Sequence, residues 1–162
     1  MTRGDVQLRP VPIDDKAALW ALMTDYLIEH TARVEPGRNY DPSGYPYFDA
    51  YWTERARRPY WIEAAGERAG FVLVSPYSPS ELGTDHSISE FCVLAPWRRG
   101  GVGLAAARAT LLAHPGQWEL QVYRANPDGM PFWPRAIAAA GARDLQLIEH
   151  DDRLIHRFRI GA

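Results

Sequence analysis

Two arginines and three glycines, PWRRGGVG at 96–103, sit between an apolar run, HSISEFCVL at 86–94, and an alanine-rich one, VGLAAARATLLAH at 102–114. Alternation in the first run predicts a strand, and the second run suits a helix over 102–114. The glycines therefore fall where a strand turns into a helix. A helix start leaves unpaired N–H groups and a partial positive charge. Glycines let an anion approach those amides without a Cβ in the way. Arg98 and Arg99 add permanent cations. The segment points to a nucleotide fold, to a phosphate cradle for another cofactor, or to a turn with solvated arginines.

The nucleotide readings fit poorly. GVGLAA at 101–106 matches G-x-G-x-x-A, but APWRR intervenes between the strand and the first glycine. The acidic residue expected about 20 residues on is missing, since Gln121, Val122 and Tyr123 stand there. A Walker loop needs Gly-Lys-Ser/Thr, which is absent.

The 162 residues suit one domain over 1–162, and 46% apolar residues argue against disorder. A net charge of −2 argues against a general nucleic-acid binder. The opening MTRGDVQLRPVPIDD is too polar for a signal peptide, and no apolar run approaches the ~18–20 residues of a membrane span. A soluble, cytoplasmic protein with no membrane partner is expected. Cys92 is the only cysteine, so no intramolecular disulfide can form, and its apolar neighbours read it as a small buried hydrophobe. His30, His86, His114, His150 and His156 lack metal-ligand spacing, so no metal is expected. EHDD at 149–152 reads as a hairpin turn.

Along the chain, 6–11 reads as a strand and 15–30 as a helix, with Asp14 and Asp15 as start signals. Residues 34–46, rich in Pro, Gly and Tyr, read as a loop, and YFDAYWTERAR (47–57) as a short second helix. Strands follow at 60–65, 69–75 and 86–94, then the helix over 102–114, a strand at 118–123, and a helix over 131–140 ended by Gly141. NPDG at 126–129 reads as a turn ahead of that helix, because Pro131 and Pro134 disfavour a helix interior. DLQLIEH and RLIHRFRI form a closing hairpin. The order β α α β β β α β α β β implies an α+β fold, a mixed sheet with helices on both faces.

Arg98-x-x-Gly101-x-Gly103, following the strand EFCVL and opening a helix, resembles the R/Q-x-x-G-x-G/A acetyl-CoA signature of the GNAT superfamily of N-acetyltransferases, in particular a bacterial subgroup of predicted acetyltransferases. WELQV, Asn126 and Phe132-Trp133 resemble the second block of that family. The resemblance covers about residues 86–141. It implies a GNAT-like acyltransferase fold, a mostly antiparallel sheet splayed at the two central strands, 86–94 and 118–123. It further implies acetyl-CoA as co-substrate and an amine acceptor, small molecule or peptide. On this resemblance Arg98, Arg99, Gly100, Gly101, Val102, Gly103 and Leu104 would cradle the pyrophosphate. Cys92, Val93 and Leu94 would flank the pantetheine arm, with a Val93 or Leu94 amide on the thioester carbonyl, and Asn126 and Trp133 would border the cofactor.

Glu90 is the candidate base. In an alternating strand it shares a face with Ile88 and Cys92, an unusual place for a carboxylate. His86 is the alternative. Tyr123 is the candidate acid, since the family's tyrosine seven residues after the asparagine is Trp133 here, and indole cannot supply a proton. Tyr40, Tyr45, Tyr47, Tyr51 and Trp52 lie where the family's acceptor loop falls. An aromatic wall there could bind an amine cation, or form a hydrophobic plug under the loop. Three function classes stay open, the first two being an acetyltransferase acting on a primary amine by direct attack, and a non-catalytic coenzyme A or acyl-CoA binding module. A protein-interaction domain is the third. The final hairpin offers an edge through which a homodimer could form.

Overall fold

The computed structural model describes residues 4–41 and 44–161. The elements run β1 (Val6–Pro10), α1 (Lys16–Val34), β2 (Arg58–Ala64), β3 (Glu67–Ser75), β4 (His86–Val93), α2 (Val102–Ala113), β5 (Gly116–Tyr123), α3 (Gly129–Ala139), β6 (Arg143–His150) and β7 (Arg153–Ile160). One seven-stranded sheet has the order β1-β2-β3-β4-β5-β7-β6. Every neighbouring pair is antiparallel except β4 with β5. This is the α+β architecture expected from the strand and helix order.

The helices cover opposite faces. α1 presents Leu19, Met23 and Leu27, one per helical turn, to Trp61, Phe71, Leu73 and Cys92. α2 and α3 bring Val102, Ala106, Leu111 and Ile137 against Ile62, Val72, Val74, Trp118, Leu120 and Val122. Alternation along β3 thus divides Phe71 and Leu73 from Val72 and Val74. Gly70 lets β3 and β4 close up, because a Cβ there would lie 2.0 Å from the Cys92 carbonyl oxygen.

The parallel pair is short. Only His86 with Trp118 and Ser87 with Glu119 are in register, and the strands part beyond them. The parting begins at a bulge in β4: Val74 faces Ile88 but Leu73 faces Glu90, leaving Ser89 as the extra residue. A bulge bends its strand and resets the alternation after it. One expectation is corrected here. Glu90 shares the α1 face with Cys92, whereas Ile88 belongs to the core under α2 and α3.

Other boundaries also differ from the sequence reading. The helix over 47–57 is absent; a single 3₁₀ turn, Asp49–Trp52, stands in its place. Phe48 and Tyr51, three apart, are buried on that turn, and the Trp52 indole donates to the Val11 carbonyl at 3.0 Å. Tertiary anchoring therefore fixes this segment. α1 runs on to Val34. α3 starts at Gly129 rather than Pro131. Pro131 falls in its first turn, where no amide partner is required, while Pro134 forfeits one interior bond. In the final hairpin β7 lies inside and β6 forms the sheet edge, leaving Leu145 64% exposed.

The closed end of the sheet is anchored by charge. Glu119 on β5 is 0% exposed. Its carboxylate accepts from the Arg157 guanidinium, the Ser80 amide (3.0 Å), the Ser80 hydroxyl (2.7 Å) and the Ser78 hydroxyl (3.1 Å). The 76–84 loop is thereby pinned to the β5–β7 pair. Removing one partner of such a pair strands a buried charge, at a cost of roughly 3–5 kcal/mol. Glu119→Ala is expected to lower the unfolding free energy measured in urea by that amount, and an unchanged midpoint would show that Arg157 finds other compensation.

Candidate functional site

The turn into α2 is built from left-handed backbone. Arg99 has φ 65° and Gly101 φ 85°, the latter in the N-cap position. Only glycine takes that conformation without strain, which accounts for Gly101. The first amide here with a backbone acceptor is that of Ala105, bonded to the Gly101 carbonyl at 3.1 Å. Among the described residues the amides of 99–104 have no backbone partner. They border a cavity of about 330 Å³ lined by Arg99, Gly101, Gly103, Leu104, Phe132 and Arg135. Among the described residues, neither Arg99 nor Arg135 has an ion pair or a hydrogen bond. Free amides, two unpaired guanidiniums and space make a receptor for phosphate groups. Gly100 and Val102 belong to the same turn.

Arg135 was not singled out in the sequence. Its signal was present: on α3 it lies one turn beyond Phe132 and so shares that residue's face. Arg98 behaves differently from Arg99. Its Nε donates to the Val93 carbonyl at 2.7 Å, and its Nη1 lies 3.9 Å from Glu29 on α1. Arg98 thus reaches back over the end of β4 and does not line the cavity.

From that cavity the gap between β4 and β5 opens. The Leu94 amide donates to the Ala69 carbonyl on β3 at 2.7 Å. Leu94 is therefore removed from the amides that could meet a ligand in the gap. Antiparallel strands direct the polar groups of successive residues to opposite sides. Val93, one residue earlier, thus turns its N–H and C=O toward the gap, as the Arg98 contact to its carbonyl attests. Trp133 closes one wall, edge-on to Phe91 at 5.1 Å and next to Phe132 at 4.9 Å. Asn126 serves the fold, since its Oδ1 accepts the Gly129 amide at 3.0 Å and so caps α3.

On the α1 face the gap is lined by phenols around one carboxyl. The Tyr45 hydroxyl donates to Glu90 Oε1 at 3.3 Å, and the Tyr26 phenol lies close enough to favour the ionised Glu90 carboxyl. The Tyr51 phenol lies near Ser89, the bulge residue. Burial raises the Glu90 carboxyl from 4.5 to about 7, against the lowering effect of the two phenols. Tyr26, Tyr40, Tyr45 and Tyr51 all have raised pKa values, each chiefly through burial, with the Glu90 charge contributing. Of the aromatic residues noted in the acceptor region, Tyr40, Tyr45 and Tyr51 surround Glu90. Tyr47 instead lies under Arg57 at 4.4 Å, and Trp52 packs on Phe48.

Tyr123 ends β5 on the same face. Its ring meets His30 at 5.9 Å, and His30 stacks on Tyr26 at 5.6 Å. Tyr26, His30 and Tyr123 thus form an aromatic strip from β4 to β5. Burial raises the Tyr123 phenol and lowers the His30 imidazole. Cys92 is buried beside Glu90, and burial pushes its thiol up to about 11 even with Arg98 adjacent. It is protonated and inert at neutral pH. His86 is excluded as the base of this site. It sits at the closed end, against Trp118 at 5.0 Å and His114 at 5.4 Å, four residues of strand (~13 Å) from Glu90. Among the described residues no group of three or more His, Cys, Asp or Glu is placed to hold a metal.

No family model matches the chain, and no curated protein matches it in sequence. Solved structures do match in fold. An acetyltransferase from Thermus thermophilus superposes with a TM-score of 0.67 at 15% identity, over 98% of this chain and 97% of that one. A GNAT-family acetyltransferase from Bacillus cereus gives 0.59 at 14% identity, over 98% and 100%. The spermidine N-acetyltransferase from Vibrio cholerae, solved with CoA and spermine, gives 0.57 at 15% identity, over 96% and 94%. The fold is that of the GNAT acyltransferases.

The raised Glu90 carboxyl also has a stability signature. A group whose folded pKa lies above its unfolded value stabilises the fold below the unfolded pKa, and that contribution is lost as pH rises through the folded one. For Glu90 the window runs from about 4.5 to about 7. Glu90→Gln, which cannot ionise, is expected to have a higher Tm than the parent at pH 8 and to converge with it at pH 4.5. A gap in Tm that does not change with pH would place the Glu90 pKa near its ordinary value.

Proposed function

We propose that the chain is an acetyl-CoA-dependent N-acetyltransferase that acts on a primary amine by direct attack. The observation that carries this reading is the union of one open gap with two chemistries. Free amides and unpaired arginines lie at its foot, and a carboxyl with a pKa near neutrality lies in its wall. The residues present suit coenzyme A. Arg99, Gly100, Gly101, Val102, Gly103 and Leu104 would hold the pyrophosphate, with Arg135 as an added cation. Val93, Phe132 and Trp133 would border the pantetheine arm.

Bound acetyl-CoA supplies an acetyl group activated as a thioester. The chain supplies the rest. An amine must lose a proton to attack, and Glu90, ionised about half the time near pH 7, can take it directly or through water. Val93 N–H, free on the open side of β4, is the donor available to a carbonyl oxygen that gains charge. Tyr123 holds a proton on the opposite strand for the departing sulfur. Arg98 must give up its bond to the Val93 carbonyl if a ligand amide is to pair there.

Two measurements test the reading. Calorimetry with coenzyme A should show binding that Gly103→Asp abolishes. A Cβ at Gly103 meets its nearest atoms at 3.6 Å, ordinary contact, so the variant should fold. Gly101→Asp is the poorer probe, because φ 85° would strain it. Arg135→Ala should weaken binding about tenfold, the scale of a charge-assisted bond. Thiol release from acetyl-CoA in the presence of primary amines should then be catalytic. Binding without release would favour the non-catalytic module, and unchanged binding in Gly103→Asp would move the cradle elsewhere.

A further inference from the structure

Beside the gap lies a second and larger cavity, of about 810 Å³. It opens between the start of α1 and the Asp49–Trp52 turn, and the cradle residues do not line it. Four of its ten lining residues carry rings: Trp20, Tyr45, Tyr47 and Phe48. Trp20 and Phe48 pack at 4.8 Å, and Tyr45 stands edge-on to Phe48 at 6.5 Å. Tyr45 is the one lining residue whose hydroxyl also touches Glu90. The cavity and the candidate base are thus separated by a single phenol, held to Glu90 by a long 3.3 Å bond.

The charges in this wall are informative. Lys16 is paired with Asp49 at 2.6 Å and lies over the Trp52 ring at 5.4 Å, so its charge is already neutralised. Asp14, without an ion pair or hydrogen bond among the described residues, is exposed at the rim, where water and salt screen it. One sheltered carboxylate, Glu90, therefore stands behind Tyr45, just outside the lining of the cavity. A polycation would leave the rings uncovered and find no second sheltered carboxylate, since Asp49 is already paired and Asp14 is exposed. A flat apolar body would cover the rings, and a single ammonium would reach Glu90 by displacing the Tyr45 hydroxyl.

We propose that this cavity receives the body of the acceptor, and that the acceptor class is a primary monoamine joined by a short spacer to an aromatic or flat apolar group. Trp20 and Tyr45 determine that specificity. The inference rests on the acetyltransferase reading and narrows it.

The test compares kcat/KM for 2-phenylethylamine and spermidine, read as thiol release from acetyl-CoA, in the wild-type chain. A preference of at least tenfold for 2-phenylethylamine is expected. Trp20→Ala should raise KM for 2-phenylethylamine at least tenfold while leaving KM for spermidine and affinity for coenzyme A unchanged. Trp20→Phe should restore most of the loss. Equal or better use of spermidine by the wild type would overturn the proposal whatever the variants do. So would coenzyme A binding with neither amine acetylated, or a Trp20→Ala variant that folds and keeps the wild-type preference. Failure to bind coenzyme A at all would instead refute the acetyltransferase reading, and this inference with it.

Discussion

The extra residue in β4 is the constraint on which the site depends. With Ser89 bulged, Glu90 turns from the core under α2 and α3 to the face under α1. The same bend ends the pairing of β4 with β5 after two residues. One local irregularity therefore opens the gap and delivers the carboxyl to it. Without the bulge, strict alternation would carry Glu90 to the other face, away from Tyr26 and Tyr45. Ser89 is itself tied down by the Ser75 hydroxyl at 2.6 Å.

The two ends of the parallel pair differ for a physical reason. At the closed end Glu119, Arg157 and the serines of the 76–84 loop satisfy one another. Tyr60 and His114, 2.8 Å apart, and the Trp118 indole on the His114 carbonyl at 2.7 Å complete that end. The open end keeps its polar groups available: the Val93 backbone and the amides of 99–104. The Arg98–Glu29–Arg33–Asp128 chain of charges crosses the mouth, but these are exposed pairs worth little to stability and easily parted.

Much of the fold was legible because the strands alternate strongly and the glycine segment marks one junction. The site was legible only in part. The glycine cradle and Glu90 could be named from residue type and position. The bulge could not, because nothing in HSISEFCVL marks Ser89 as unpaired; its register depends on β3. For the same reason alternation alone puts Ile88 on the wrong side, and the family resemblance offers Leu94 as a donor although β3 already takes its amide. Tyr26 escapes notice as a neighbour of Glu90 because its spacing on α1 reads as ordinary core. The 47–57 segment reads as a helix because its anchors, the Val11 carbonyl and the α1 rings, lie far away in sequence.

The central claim is that a carboxyl held near neutrality by burial takes the proton of an amine in the β4–β5 gap. It is tested most directly by the pH dependence of kcat/KM for acetyl transfer in the wild type and in Glu90→Gln. The wild-type profile should rise with an inflection near 7, and Glu90→Gln should lose that inflection and about 10²–10⁴ in rate at neutral pH. The deficit should shrink at high pH, where the amine is already neutral. A Glu90→Gln profile that superposes on the wild type at every pH would contradict the account.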